Sequence, residues 1–89
     1  MSPKNSNLKD PYFDLVTRLT KIDNNKKMTK FLEALLTSQE RKSITKRLQI
    51  YKMLELGVPQ AKIAKELGVG IATVTHGSRE LKSNNFRYE

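Results

Sequence analysis

Apolar residues recur along this chain at helical spacing, and no stretch of useful length alternates with the period of a strand. Phe13, Val16 and Leu19 follow one another at intervals of three, and Tyr12, Leu15 and Ile22 widen the stripe. Asp10-Pro11 supplies an N-cap followed by a proline at the first helical position, so a helix is predicted from there. Asp23-Asn24-Asn25 breaks it. Residues 26–36 carry Met28, Phe31, Leu32, Leu35 and Leu36 on one face and predict a second, shorter helix. Thr37-Ser38-Gln39-Glu40 is a start signal in which Thr37 and Glu40 fit a capping box. The third helix then runs to about Leu56, with Ile44, Leu48, Tyr51 and Leu54 or Glu55 in register and Ile50 and Met53 broadening the stripe. Gly57 stops it, and Val58-Pro59 bars its continuation.

Residues 60–67 and 71–82 predict two further helices around a tight turn. Gly68 stands where the first of them must end with positive φ, and Ala64 is small where two helices must approach. Ile63, Leu67, Val69 and Val74 are spaced to hold the pair together. This is the build of a helix-turn-helix, whose second helix presents its first turn to the DNA major groove. Gly70 and Ile71 open that helix, where free backbone N–H groups suit phosphate oxygens. Thr73 and Thr75 offer hydroxyl donors, and Ile71 and Ala72 offer apolar contact to a thymine methyl. No Arg or Asn stands in the first turn. Contacts to phosphates, to DNA shape and through water are therefore expected to outweigh bidentate base contacts.

Charge strengthens this picture. The chain of 89 residues carries a net +8, distributed as +3 over residues 1–37, +3 over 38–59 and +2 over 60–82. The excess belongs to segments predicted to fold, as expected if a whole face meets phosphates. Residues 1–9 are expected to be a disordered lead-in, residues 10–82 a single all-helical domain with the helix-turn-helix at 60–82, and residues 83–89 a short tail. At 37% hydrophobic residues, a domain of this size buries a thin core, which suits support from a second subunit. There is no cysteine, which excludes a disulfide framework and a thiolate metal site and fits a cytoplasmic protein. No apolar run approaches the ~20 residues needed to cross a bilayer.

A longer pattern surrounds the helix-turn-helix. Leu36-Thr37-x-x-Glu40-Arg41 is followed by Arg47-Leu48-x-Ile50 and then by Glu66-Leu67-Gly68-Val69-Gly70-Ile71-Ala72-Thr73-Val74-Thr75-His76-Gly77-Ser78 and Leu81-Lys82. This pattern resembles the tryptophan repressor family, strongly over residues 36–82 and weakly through 12–35. The resemblance implies an all-α, intertwined homodimer that represses transcription from a palindromic operator, with L-tryptophan as corepressor. It implies a ligand site formed by Thr37, Arg47, Thr73, His76, Gly77 and Glu80. It implies DNA contacts from Gly70, Ile71, Ala72, Thr73 and Thr75, with Gln60 on the DNA backbone and Lys82 at the end of the matched segment.

The sequence departs from the family pattern in several places. His76 stands where the family has an arginine that stacks on the indole and engages the ligand carboxylate. An imidazole stacks but lacks the bidentate fork that Arg offers a carboxylate. Glu80 stands where a serine meets the ligand amino group, so it either pairs with an ammonium or repels the ligand carboxylate. One residue is deleted near Val58-Pro59, and the family's last helix is expected to be absent or reduced to residues 83–89. Two alternatives follow: a regulator of the same fold that is ligand-independent or differently liganded, and the DNA-binding module of a transposase or recombinase. Enzymatic chemistry finds no support. His76 is the only histidine, with no second histidine or cysteine for a metal and no nucleophile in register.

Overall fold

The computed structural model describes residues 10–84. The expected lead-in at 1–9 and the tail beyond 84 lie outside them. The described residues form α1 (Pro11–Lys21), α2 (Asn25–Leu35), α3 (Ser38–Glu55), α4 (Gln60–Leu67) and α5 (Ile71–Ser83), with no strand among them. They fall into two compact units, one ending at Thr37 and the other beginning at Ser38.

In the first unit, each helix is started by a side chain. The Asp10 carboxylate accepts the Phe13 N–H at 3.2 Å, with Pro11 at the first helical position. Asn24 Oδ1 accepts the Lys27 N–H at 2.8 Å. The triplet that reads as a helix breaker in the sequence is thus also the N-cap of α2. Both helices are amphipathic, yet neither contains a buried residue. Tyr12 and Phe13 on α1 are 73% and 52% exposed, and Leu35 on α2 is 52% exposed. Burying such a side chain stabilises by about 1.5–3 kcal/mol. At these three residues more than half of that stabilisation is unrealised within a single chain.

In the second unit, α3, α4 and α5 each pack against the other two. One side chain from each makes the centre: Ile50 from α3, Ile63 from α4 and Val74 from α5, the last two fully buried. Tyr51, Met53 and Leu54 of α3 surround them, with Val58, Ala64, Leu67 and Val69. Both helix-ending glycines close their helices in the same way. Gly57 has φ +82°, and the Val58 N–H returns to the Met53 carbonyl at 3.0 Å. Gly68 has φ +67° and ψ +37°, and the Val69 N–H returns to the Ala64 carbonyl at 3.0 Å. This left-handed closure turns the chain sharply enough for α5 to begin at Ile71. A different constraint acts at Gly77, in the middle of α5. A Cβ there would lie 3.1 Å from Ile50 Cγ2 and 3.6 Å from Tyr51 Cε1. The missing side chain is what lets α5 lie directly on α3.

Candidate nucleic-acid interface and ligand cavity

The α4–turn–α5 pair has its apolar interior where the sequence predicts it. Ile63 and Val74 seal the contact between the helices, and Ala64, Leu67 and Val69 pack against them. The opposite edge of α5 is open. Gly70, Ile71, Ala72 and Thr73 are all exposed, Ile71 at 51%. No side chain caps the N-terminus of α5; the Thr73 N–H turns back to the Gly70 carbonyl at 3.1 Å, which leaves the Ile71 and Ala72 N–H groups without a capping partner. An uncapped helix start with small, exposed residues is the part of a helix-turn-helix that fits against a nucleic-acid backbone and base edges.

The sequence-predicted DNA residues are not all brought together. Gly70, Ile71, Ala72 and Thr73 share the open edge. Thr75 is half-buried, and its hydroxyl donates to Gln60 Oε1 at 2.8 Å, tying the second turn of α5 to the first turn of α4. Lys82 is exposed but lies eleven residues beyond Ile71, roughly 16 Å along the helix at 1.5 Å per residue. It belongs to the far end of α5.

A cavity of about 350 Å³ opens between α3 and α5. That volume is at the lower end of the range for small-molecule sites. Its apolar wall is Ile50, Tyr51 and Val69, with Gly77 beside them. Its polar wall is Ser43, Lys46 and Arg47 on α3, facing Thr73, His76 and Glu80 on α5. Five of the six expected ligand residues (Arg47, Thr73, His76, Gly77 and Glu80) therefore converge on one space. Thr37, the sixth, closes the first unit and is not among the residues around this cavity.

Ser43, Lys46, Ile50, Tyr51 and Val69 also line the cavity and are not among the ligand residues expected from the sequence. Ser43, Lys46, Arg47 and Ile50 follow the helical i, i+3, i+4, i+7 spacing, a signal present in the sequence. The cavity carries two fixed cations, Lys46 and Arg47, and one anion, Glu80. Neither cation forms an ion pair with another described residue. Glu80 Oε1 accepts from Asn84 Nδ2 at 3.2 Å, which steadies the carboxylate from the next turn. Separated charges of both signs over an apolar wall suit a zwitterion with an apolar side chain. Among the described residues no cluster of three or more His, Cys, Asp or Glu could hold a metal, and no helix is long and apolar enough to cross a membrane.

The chain is similar to known proteins over most of its length. The family model described as Trp repressor protein matches residues 12–89. A Trp operon repressor homolog of Vibrio campbellii is 44% identical over 63 residues, covering 70% of this chain and 63% of that protein. One from Vibrio parahaemolyticus is 49% identical over 55 residues, covering 61% of this chain and 53% of its own length. One from Xylella fastidiosa is 34% identical over 74 residues, covering 82% and 80%. The matched segment thus spans between half and two thirds of the two Vibrio proteins. No solved structure gives a significant match.

Proposed function

The chain belongs to the Trp repressor family, and we propose that it is a DNA-binding transcriptional repressor acting on a palindromic operator as a homodimer. The open edge of α5 carries this proposal. Gly70 to Thr73 are exposed at an uncapped helix start, held out by the fully buried Ile63 and Val74 behind them. Family and geometry favour a regulator over an enzyme, and a chain without cysteine that works on DNA suits the cytoplasm. The apolar stripes of α1 and α2, which contain no buried residue, support the homodimer. Residues 10–82 are read as a single all-helical domain whose N-terminal stripes a second copy would cover.

The ligand proposed for the cavity is L-tryptophan. Its indole would lie against Ile50, Tyr51 and Val69, its carboxylate toward Arg47 and Lys46, and its ammonium toward Glu80. Thr73 both borders the cavity and stands on the open edge of α5. An occupant of the cavity would therefore bear directly on the segment that meets DNA. His76 and Glu80 favour a second reading, a differently liganded regulator of the same fold, because both replace the family's ligand-contacting residues.

Two measurements test these proposals. Duplexes selected by the protein from a random 30-base-pair pool should lose binding to Ile71→Glu and to Ala72→Glu while the helical spectrum is unchanged; full binding by both variants would refute the assigned edge. Calorimetric titration with L-tryptophan, alone and with a selected duplex, should show each ligand tightening the other. Binding of DNA without any such coupling would leave a ligand-independent repressor.

A further inference from the structure

We infer that Thr75 is a positioning residue. Its hydroxyl fixes the Gln60 amide so that the amide presents only donors to a DNA phosphate. The inference rests on the DNA-binding role proposed above and assigns within it a task for a residue on the helix-turn-helix.

The observation is a single bond that joins the two helices. Thr75 Oγ1 donates to Gln60 Oε1 at 2.8 Å, and both residues are half-buried. Gln60 is the first residue of α4, directly after Pro59, and no side chain caps that helix. The Gln60 side chain makes no other hydrogen bond to a described residue.

A glutamine amide has two unlike ends: an oxygen that only accepts and a nitrogen that only donates. A phosphate has only acceptors. A freely turning Gln60 would present its oxygen to a phosphate for part of the time, and that orientation is repulsive. The Thr75 hydroxyl removes the ambiguity. With the oxygen held by Thr75, Nε2 is left as the free end of the amide, at the uncapped N-terminus of α4. The effect of Thr75 on DNA then passes through Gln60, and Thr75 itself makes no direct contact.

This division of labour predicts a distinctive mutational pattern. Loss of a hydrogen bond to a charged acceptor weakens binding by roughly tenfold or more per site. Thr75→Val, which keeps the shape and removes the hydroxyl, should therefore weaken DNA binding about as much as Gln60→Ala. The double variant should be no worse than either. Thr75→Ser should restore binding, because it keeps the donor. Gln60→Glu should fall below Gln60→Ala, since a carboxylate offers phosphate only negative charge. Gln60→Lys supplies a group that donates in every orientation, so it should make Thr75→Val silent.

The experiment is fluorescence anisotropy with the full chain and a labelled duplex that the wild-type protein has selected from a random pool, at 50 mM salt with L-tryptophan present throughout. Thermal midpoints are recorded for each variant to confirm folding. Non-additive losses for Thr75→Val and Gln60→Ala, rescue by Thr75→Ser, and insensitivity of Gln60→Lys to Thr75→Val support the inference. Additive losses, or an undiminished loss from Thr75→Val in the Gln60→Lys background, would overturn it and make Thr75 a direct contact. Failure of the wild-type chain to select any duplex would instead refute the DNA-binding role itself.

Discussion

Gly77→Ala sets two known effects against each other at one position. Gly77 lies at the centre of α5, so alanine there gains about 1 kcal/mol of helix propensity over glycine. Against this, the new methyl would sit 3.1 Å from Ile50 Cγ2, a few tenths of an ångström inside ordinary contact. Ile50 is only 2% exposed and is packed in the same cluster as Ile63 and Val74, so it has little room to give way. Overpacking of this kind costs typically 1–3 kcal/mol. The packing term wins, and the net expectation is destabilisation by about 1 kcal/mol. For a domain of this size that lowers the thermal midpoint by roughly 4–8 °C. The assay is the loss of circular dichroism at 222 nm on heating, at one fixed protein concentration. A second variant isolates the cause. Ile50→Leu lacks the branch methyl on Cβ, so Gly77→Ala should be better tolerated in that background. If Gly77→Ala instead raised the midpoint by several degrees in the wild-type background, propensity would be acting alone, and the close contact of α5 with α3 would be wrong.

Four further outcomes follow from the same structure. Gly68→Ala meets no atom within 4 Å but must hold φ +67°, so it should lose about 1 kcal/mol, seen as a lower urea midpoint with an unchanged slope. Ile63→Ala empties a fully buried site and should cost about 2–5 kcal/mol, a large fraction of the stability of a small domain; a shift below ~1 kcal/mol would mean that the core lies elsewhere. If the apolar stripes of α1 and α2 are covered by a second copy, the thermal midpoint should rise with protein concentration, and a midpoint that does not move would argue for a folded monomer. If Glu80 meets a ligand ammonium, Glu80→Gln should weaken L-tryptophan while sparing indole-3-propionate, which has no amino group; equal losses for both would remove Glu80 from that role.

Helix boundaries were legible in the sequence because local chemistry decides them. Asp10-Pro11 starts α1, Gly57 and Gly68 end α3 and α4, and each acts within four residues of itself. Asn24 was legible only in part. Its triplet interrupts the apolar periodicity, but its role as the cap of α2 depends on an Oδ1-to-Lys27 bond that periodicity does not report. The interior of the α4–α5 pair was legible for a similar reason. Ile63, Ala64, Leu67, Val69 and Val74 are close in sequence, and the turn between them is short and constrained.

The ligand cavity was legible less directly. Arg47, His76, Gly77 and Glu80 were found through resemblance, since nothing in an isolated arginine or histidine marks it as a pocket residue. Tyr51 and Val69 border the cavity only because α5 crosses α3 at Gly77. Thr37 was assigned to the ligand site on resemblance and does not border this cavity.

The sequence alone determined which segments are helical, where they stop, and which face of the last pair is apolar. Those properties follow from capping, glycine conformation and periodicity, all of which act over one or two turns. The tertiary structure alone decided which polar residues meet. It paired Thr75 with Gln60 across fifteen positions and set Lys46 and Arg47 opposite Glu80. Such pairings depend on how closely two helices approach and at what angle. For the cavity that approach is set by the absence of a side chain at Gly77, where α5 lies on Ile50 and Tyr51 of α3, and for Thr75 and Gln60 by the short turn through Gly68.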